Sequence, residues 1–261
     1  MLPAEAVAGL GLATDQPPDQ LCVVVISHDC DLANDNLHAE PMVELVVGLR
    51  VPSLNGNYTW GKAPRTLHLP LLHHGQQVAI ELQQTTKTQV PKSALAGFKP
   101  DPAWALQGTH LQTLRTWLAS RYHRAAFPDT FVNRMNQCKA SEKLAKALEP
   151  HGELISFVYF DLDEGQHTER ADDAPYRLSV VLVFVAGDDP ERAMTSAEQV
   201  ADKVESVLRQ RFTPEAGIAL NTCFAISEDD LPVSKARVLT QWRLEHMTQR
   251  ADTAQPGPPQ L

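Results

Sequence analysis

The first unbroken apolar run of the chain, Leu21-Cys-Val-Val-Val-Ile26, holds three consecutive valines and stops at Ser27. β-Branched residues crowd a helix turn but fit a pleated sheet, so the run predicts a buried strand over 21–27. A second apolar run at 42–51 predicts a strand paired with it. Glu44 stands inside that run, where a carboxylate either faces solvent or belongs to a site. Residues 66–72 alternate as Thr-Leu-His-Leu-Pro-Leu-Leu, and Pro70 confines this third strand to an edge or a bulge. A fourth, short strand is expected at 78–82. The stretches 31–41, with Asn34, Asp35 and Asn36, and 53–58 read as loops. Residues 1–20 are punctuated by Gly and Pro, with a short helix near 3–10.

After Pro102 the period changes. Leu106, Leu111, Leu114, Trp117 and Leu118 recur at three- and four-residue spacings and predict a helix that ends before Pro128. Asp129 then reads as the N-cap of a second helix through Phe131, Met135 and Cys138 to Leu148, closed by Pro150. The last third returns to strands at 154–160 and 176–186. An amphipathic helix follows at 195–211, with Ser196 and Glu198 in its first turn and an apolar stripe of Ala197, Val200, Ala201, Val204 and Val207/Leu208. A strand at 218–226 and a final helix at 234–247 complete it, and the Gln-Pro-Gly-Pro-Pro tail is expected to be disordered. The expected class is α+β. A β-rich module over 1–95, a small barrel or half-open sheet, is followed by a helical segment at 96–150. An α+β module at 151–250 and a disordered tail at 251–261 follow.

Composition narrows the class further. The chain has 261 residues and is 43% hydrophobic, enough for a real core in one large or two small domains. No window approaches the roughly 18 consecutive apolar residues of a membrane helix. The first ten residues lack a basic region, so no signal peptide is expected. Four scattered cysteines (Cys22, Cys30, Cys138, Cys223), without a CxxC pair, favour reduced thiols and a cytoplasmic protein. The net charge of −9 is uneven. Residues 99–146 hold eight Lys/Arg against three Asp/Glu, and 151–232 hold six against seventeen. The basic segment could meet nucleic acid and the acidic one a basic protein partner, or the two could simply be solvated.

The densest chemistry follows the first strand: His28, Asp29, Cys30 and Asp31. If the chain stays extended there, His28 and Cys30 share one face and Asp29 and Asp31 the other. Three uses fit these residue types. They could bind a metal, with His28, Cys30 and Asp31 as ligands and Glu44, His68, His73 or His74 completing the set. Zinc accepts His, Cys and carboxylate, whereas manganese or magnesium would lean on the Asp and Glu oxygens. Cys30 could instead be a nucleophile with a histidine base, all four residues forming a catalytic centre. Or the Asp pair could cap a turn while Cys30 packs as a small hydrophobe. A second candidate, Arg121, Tyr122 and Arg124, sets guanidinium groups beside an aromatic, a combination suited to phosphate and a stacked base. Asp161, Asp163 and Glu164 read as a solvated hairpin loop or a divalent-cation site, and His73-His74 as a ligand pair or a loop before Gly75. No GxxxxGK or GxGxxG occurs.

The stretch from Val24 to Ala33, with Glu40-Pro-Met-Val-Glu44 and the 117–129 segment, resembles an uncharacterised bacterial family associated with mobile elements and phage-defence regions. Residues 21–47 also resemble the opening strands of MazF/PemK-type toxin barrels, where an apolar strand ending in Ser leads through a loop into a second one. Asp19-Gln20 stands where those barrels carry Arg-Pro. That likeness implies an SH3-like barrel and ribonuclease activity. The expectation is a defence- or toxin-like hydrolase acting on nucleic acid or nucleotide through His28, Asp29, Cys30 and Asp31. The alternative is a non-catalytic adaptor of a multi-protein bacterial system, with the quartet structural or zinc-binding.

Overall fold

The computed structural model describes residues 1–3, 5–12, 15–120, 122, 127–170, 174–236 and 239–243. The chain divides into two compact units, Met1–Tyr122 and His123–Leu261. The helical middle is therefore shared between them rather than forming a segment of its own. The class is α+β.

In the first unit, helix α1 (Ala6–Gly9) precedes strand β1 (Leu21–Val25). The chain then turns through α2 (Asp29–Ala33) into β2 (Met42–Val51). Strands β3 (Thr66–His73), β4 (Gln76–Pro91) and β5 (Trp104–Ala105) follow, and α3 (Gly108–Ser120) closes the unit. The antiparallel sheet runs β1-β2-β4-β3-β5 and curls into a half-barrel. The second strand does pair with the first, from Leu21 opposite Leu49 to Val25 opposite Leu45. Both faces of the sheet are apolar. Cys22, Val24, Val46, Leu67, Leu69, Leu71, Ile80 and Leu82 pack with Leu114 and Trp117 of α3. Val23, Val43, Leu45 and Val90 pack with Leu2, Ala6 and Val7 on the opposite face. Trp117 fixes α3 by donating its indole N–H to the Ala63 carbonyl at 3.0 Å.

Three expectations are corrected here. The strand expected at 78–82 is sixteen residues long, because polar residues 83–89 extend it past the apolar run. The loop expected from His73-His74 before Gly75 is shorter by one residue: His73 still belongs to β3, and the turn is His74-Gly75. His74 (φ 51) and Gly75 (φ 76) are the two central residues of the β3–β4 hairpin, both left-handed as a type I′ turn requires. The third correction is at residues 29–33, which are helical, so the quartet has no two-faced strand geometry. Pro70 lies where β3 pairs with β4 alone, since β5 reaches only Leu72 and His73.

In the second unit, α4 (Asp129–Gln137) and α5 (Ala140–Leu148) precede β6 (Ile155–Leu162) and β7 (Tyr176–Phe184). Helix α6 (Pro190–Arg211), β8 (Ile218–Ser227), a short α7 (Val233–Ala236) and β9 (Thr240–Gln241) follow. The sheet order is β8-β7-β6-β9, and only the β7–β8 pair is parallel, joined by the α6 crossover. Ala197, Val200, Ala201, Val204 and Leu208 form the buried stripe of α6, as the period predicts.

The single helix expected over 129–148 is broken. Lys139 adopts φ 57 and separates α4 from α5. Asp129 is not the cap either. Glu169 reaches across to accept the Asp129 and Thr130 backbone N–H groups at 2.5 and 3.2 Å. Helix α6 starts at Pro190 behind the capping carboxylate of Asp189, five residues before the expected start. The final helix is replaced by the α7 turn and β9; residues 244–247 and the tail at 251–261 lie outside the described residues. Asp163 is buried rather than solvated. Its carboxylate accepts from Arg170 Nε at 2.7 Å and from the Arg177 N–H at 2.9 Å.

Candidate functional site

Strand β1 ends at Val25, and the chain is pinned where it leaves the sheet. Ser27 Oγ accepts the Glu44 N–H at 2.8 Å, and the Ile26 N–H donates to the Glu44 carbonyl at 3.0 Å. His28 is then the N-cap of α2. Its Nδ1 accepts the Cys30 N–H at 3.2 Å, which leaves that nitrogen without a proton. At the other end of this turn, Lys92 Nζ donates to the Asp31 carbonyl at 2.6 Å and to the Asn34 carbonyl, satisfying groups a helix end leaves open. Asn34 and Asn36 continue the restraint, each accepting a backbone N–H two residues on at 3.0 Å. The turn is thus held by side chains, its own and Lys92, that bind its backbone groups.

All four quartet side chains are exposed. The ligands expected to complete a metal site do not converge on them. Glu44 Oε1 accepts from Gln89 Nε2 at 3.2 Å. His73 sits at the β3–β4 hairpin, 4.3 Å between ring centroids from Trp104, with Arg50 NH2 3.0 Å from its Nδ1. Burial, with the Arg50 and His74 charges, holds the His73 imidazole below its usual pKa. Among the described residues no group of three or more His, Cys, Asp and Glu could hold a metal ion. Of the phosphate-contact set, Tyr122 is 77% exposed, and Arg121 and Arg124 lie outside the described residues.

No family model, curated protein or solved structure matches the chain. The site therefore rests on its own geometry.

Sequence reasoning named His68 only as a spare ligand and missed its partner Glu81. The two lie directly opposite on β3 and β4, so they share a face. His68 is 5% exposed. Its Nδ1 accepts the Asn55 N–H at 2.9 Å, so the ring proton lies on Nε2, 2.9 Å from Glu81 Oε2. The hydrogen bond from His68, with help from Gln83 and against the effect of burial, holds the Glu81 carboxyl below the ordinary carboxylate range. Lys62 was missed as well. It is 1% exposed, and burial draws its ammonium down to about 7. One weak signal was available for the pair. His68 and Glu81 are polar residues inside alternating apolar stretches, but only the hairpin register brings them together.

Proposed function

We propose that the chain is a non-catalytic interaction protein of a multi-protein bacterial system, with the turn at 28–37 as part of its contact surface. One observation carries this reading: the quartet is exposed on a turn whose backbone is held by Lys92, His28, Asn34 and Asn36, and among the described residues no group of three or more His, Cys, Asp and Glu that could hold a metal forms around it. Beside Asp29, Asp31 and Asp35, Leu37 is 51% exposed and Met42 39%. Exposed carboxylates and an exposed leucine on one short turn suit a partner with a basic, partly apolar surface. A cytoplasmic site of action fits the four cysteines, all free thiols. No helix among the described residues is long and apolar enough to cross a membrane.

The test is co-expression with the products of neighbouring genes, followed by co-purification and calorimetry. Leu37→Asp and Asp31→Lys should each break the complex and leave the melting temperature unchanged. A complex that withstands both substitutions would contradict the reading.

The competing proposal is a hydrolase acting on nucleic acid or nucleotide through His28, Asp29, Cys30 and Asp31. What favours it is that all four groups are open to solvent at the end of a strand, where substrate has access. It predicts turnover that Asp31→Asn abolishes without unfolding the protein. An unchanged rate in that variant would remove it.

A further inference from the structure

One row of residues crosses the first sheet from β1 to β3. Leu21 on β1 stands opposite Leu49 on β2, Leu49 opposite Glu81 on β4, and Glu81 opposite His68 on β3. Residues directly opposite share a face of the sheet, so the carboxylate stands beside the leucines. Val47, two residues before Leu49 and opposite Val23, is on that face too. Beside the row β4 bulges: Val46 pairs with Lys87 and Gly48 with Leu82, so residues 83–86 oppose Val47 alone. A cleft of about 540 Å³ lies here, within the usual range for small-molecule sites. Glu81 lines it, and Leu12, Leu21, Val47 and Leu49 supply an apolar wall.

Two chains of hydrogen bonds end on the Glu81 carboxylate. From one side, the Asn55 N–H donates to His68 Nδ1 and His68 Nε2 donates to Glu81 Oε2. From the other, Thr85 Oγ1 donates to Gln83 Oε1 at 3.3 Å, and Gln83 Nε2 donates to Glu81 Oε1 at 2.7 Å. Every one of these donors is neutral, because His68 Nδ1 accepts and cannot also carry a proton. The carboxylate is therefore oriented without being neutralised. Its side chain is 19% exposed, and each oxygen, accepting one bond, keeps a lone pair. Among the described residues no lysine or arginine forms an ion pair with it. Lys87 stands opposite Val46, on the other face of the sheet from Leu49 and Glu81.

The hydroxyl groups that line the cleft add acceptors rather than donors. Thr85 spends its proton on Gln83, and Thr86 Oγ1 donates to the Val47 carbonyl at 2.7 Å, so both oxygens are left to accept. The lining thus joins an uncompensated carboxylate, acceptor hydroxyls and an apolar wall. A ligand that answers all of these carries a positive charge, donates several hydrogen bonds and has an apolar body. We propose that the cleft binds a small primary amine, an alkyl- or arylalkylammonium, with its ammonium on Glu81 and its carbon chain along Leu12, Val47 and Leu49. This stands apart from the contact surface at 28–37.

The test is calorimetry of the full chain with hexylamine and phenethylamine. At least one of them should bind saturably. The matching alcohol, hexanol or phenethyl alcohol, should bind about tenfold more weakly or worse, because it loses the charge-assisted contact. Glu81→Gln should cause a comparable loss. Leu49→Lys, which sets a tethered ammonium opposite the carboxylate, should do the same. Absence of binding by both amines up to about 10 mM, weaker than any useful site, would overturn the proposal. So would an alcohol that binds as well as its amine, or a folded Glu81→Gln or Leu49→Lys variant with undiminished affinity. The comparison of amine with alcohol needs the wild type alone and decides the matter if neither variant folds.

Discussion

Two places in the first unit put a histidine beside carboxylates, and they are built in opposite ways. At 28–31 the groups are neighbours in sequence, yet the helical turn spreads them into solvent and uses His28 Nδ1 as a backbone cap. At His68 and Glu81 the groups are thirteen residues apart, and the β3–β4 register sets them 2.9 Å from each other beneath the 52–58 loop. Density of chemical residue types along a chain is thus a poor guide to their density in space. Local sequence decides which groups are near each other on the backbone. Pairing between strands decides which of them meet.

This difference is sharpened most by Lys62, a lysine only 1% exposed. An unfolded lysine keeps its proton to about 10.4, whereas folded Lys62 loses it near 7. Between those values the unfolded chain binds more protons, so stability rises with pH by about 1.4 kcal/mol per pH unit from this group. Urea midpoints from pH 7 to 9 should show that rise, and Lys62→Met should flatten it. A slope that Lys62→Met leaves intact would place the titration elsewhere.

The next effect contrasts the two histidines directly. His68→Ala leaves the Asn55 N–H and the Glu81 carboxylate without their partner and opens a cavity, a loss of about 3 kcal/mol by chemical denaturation. His28→Ala removes only the cap of a five-residue exposed helix, which costs about 0.5 kcal/mol. Equal losses would mean that the quartet turn is structurally coupled to the sheet.

A smaller effect appears in acid. Glu81 has its carboxyl below the ordinary range, so it contributes stability that is present above that range and lost as pH falls through the folded value. Glu81→Gln keeps the acceptor for His68 and removes the titration. The acid limb of its stability profile should be shallower than that of the wild type. An identical limb would show that Glu81 titrates no differently when folded.

Much of the fold was legible in the chain because its signals were local. The run at 21–26, the α6 stripe and the strand at 176–184 follow from period and β-branching alone. Polar residues misled where tertiary contacts outweighed them. Residues 83–89 carry no apolar alternation, yet they extend β4 because β3 pairs with Gln83 and β2 with residues 87–89. Asp129 has the residue type of a cap, but Glu169, forty residues away, does the capping. Asp189-Pro190 was a legible start for α6, and the later apolar stripe obscured it. The candidate site followed the same rule. The exposed quartet was visible at once, while His68 and Glu81 needed the hairpin register to become neighbours.

The central claim is that His28, Asp29, Cys30 and Asp31 stand side by side without forming a chemical centre. It is tested most directly by plasma mass spectrometry of the purified wild type and of a His28→Ala/Cys30→Ala variant. The account predicts no stoichiometric metal in either. About one equivalent of zinc or manganese in the wild type, lost in the double variant, would contradict it and make the turn a metal site.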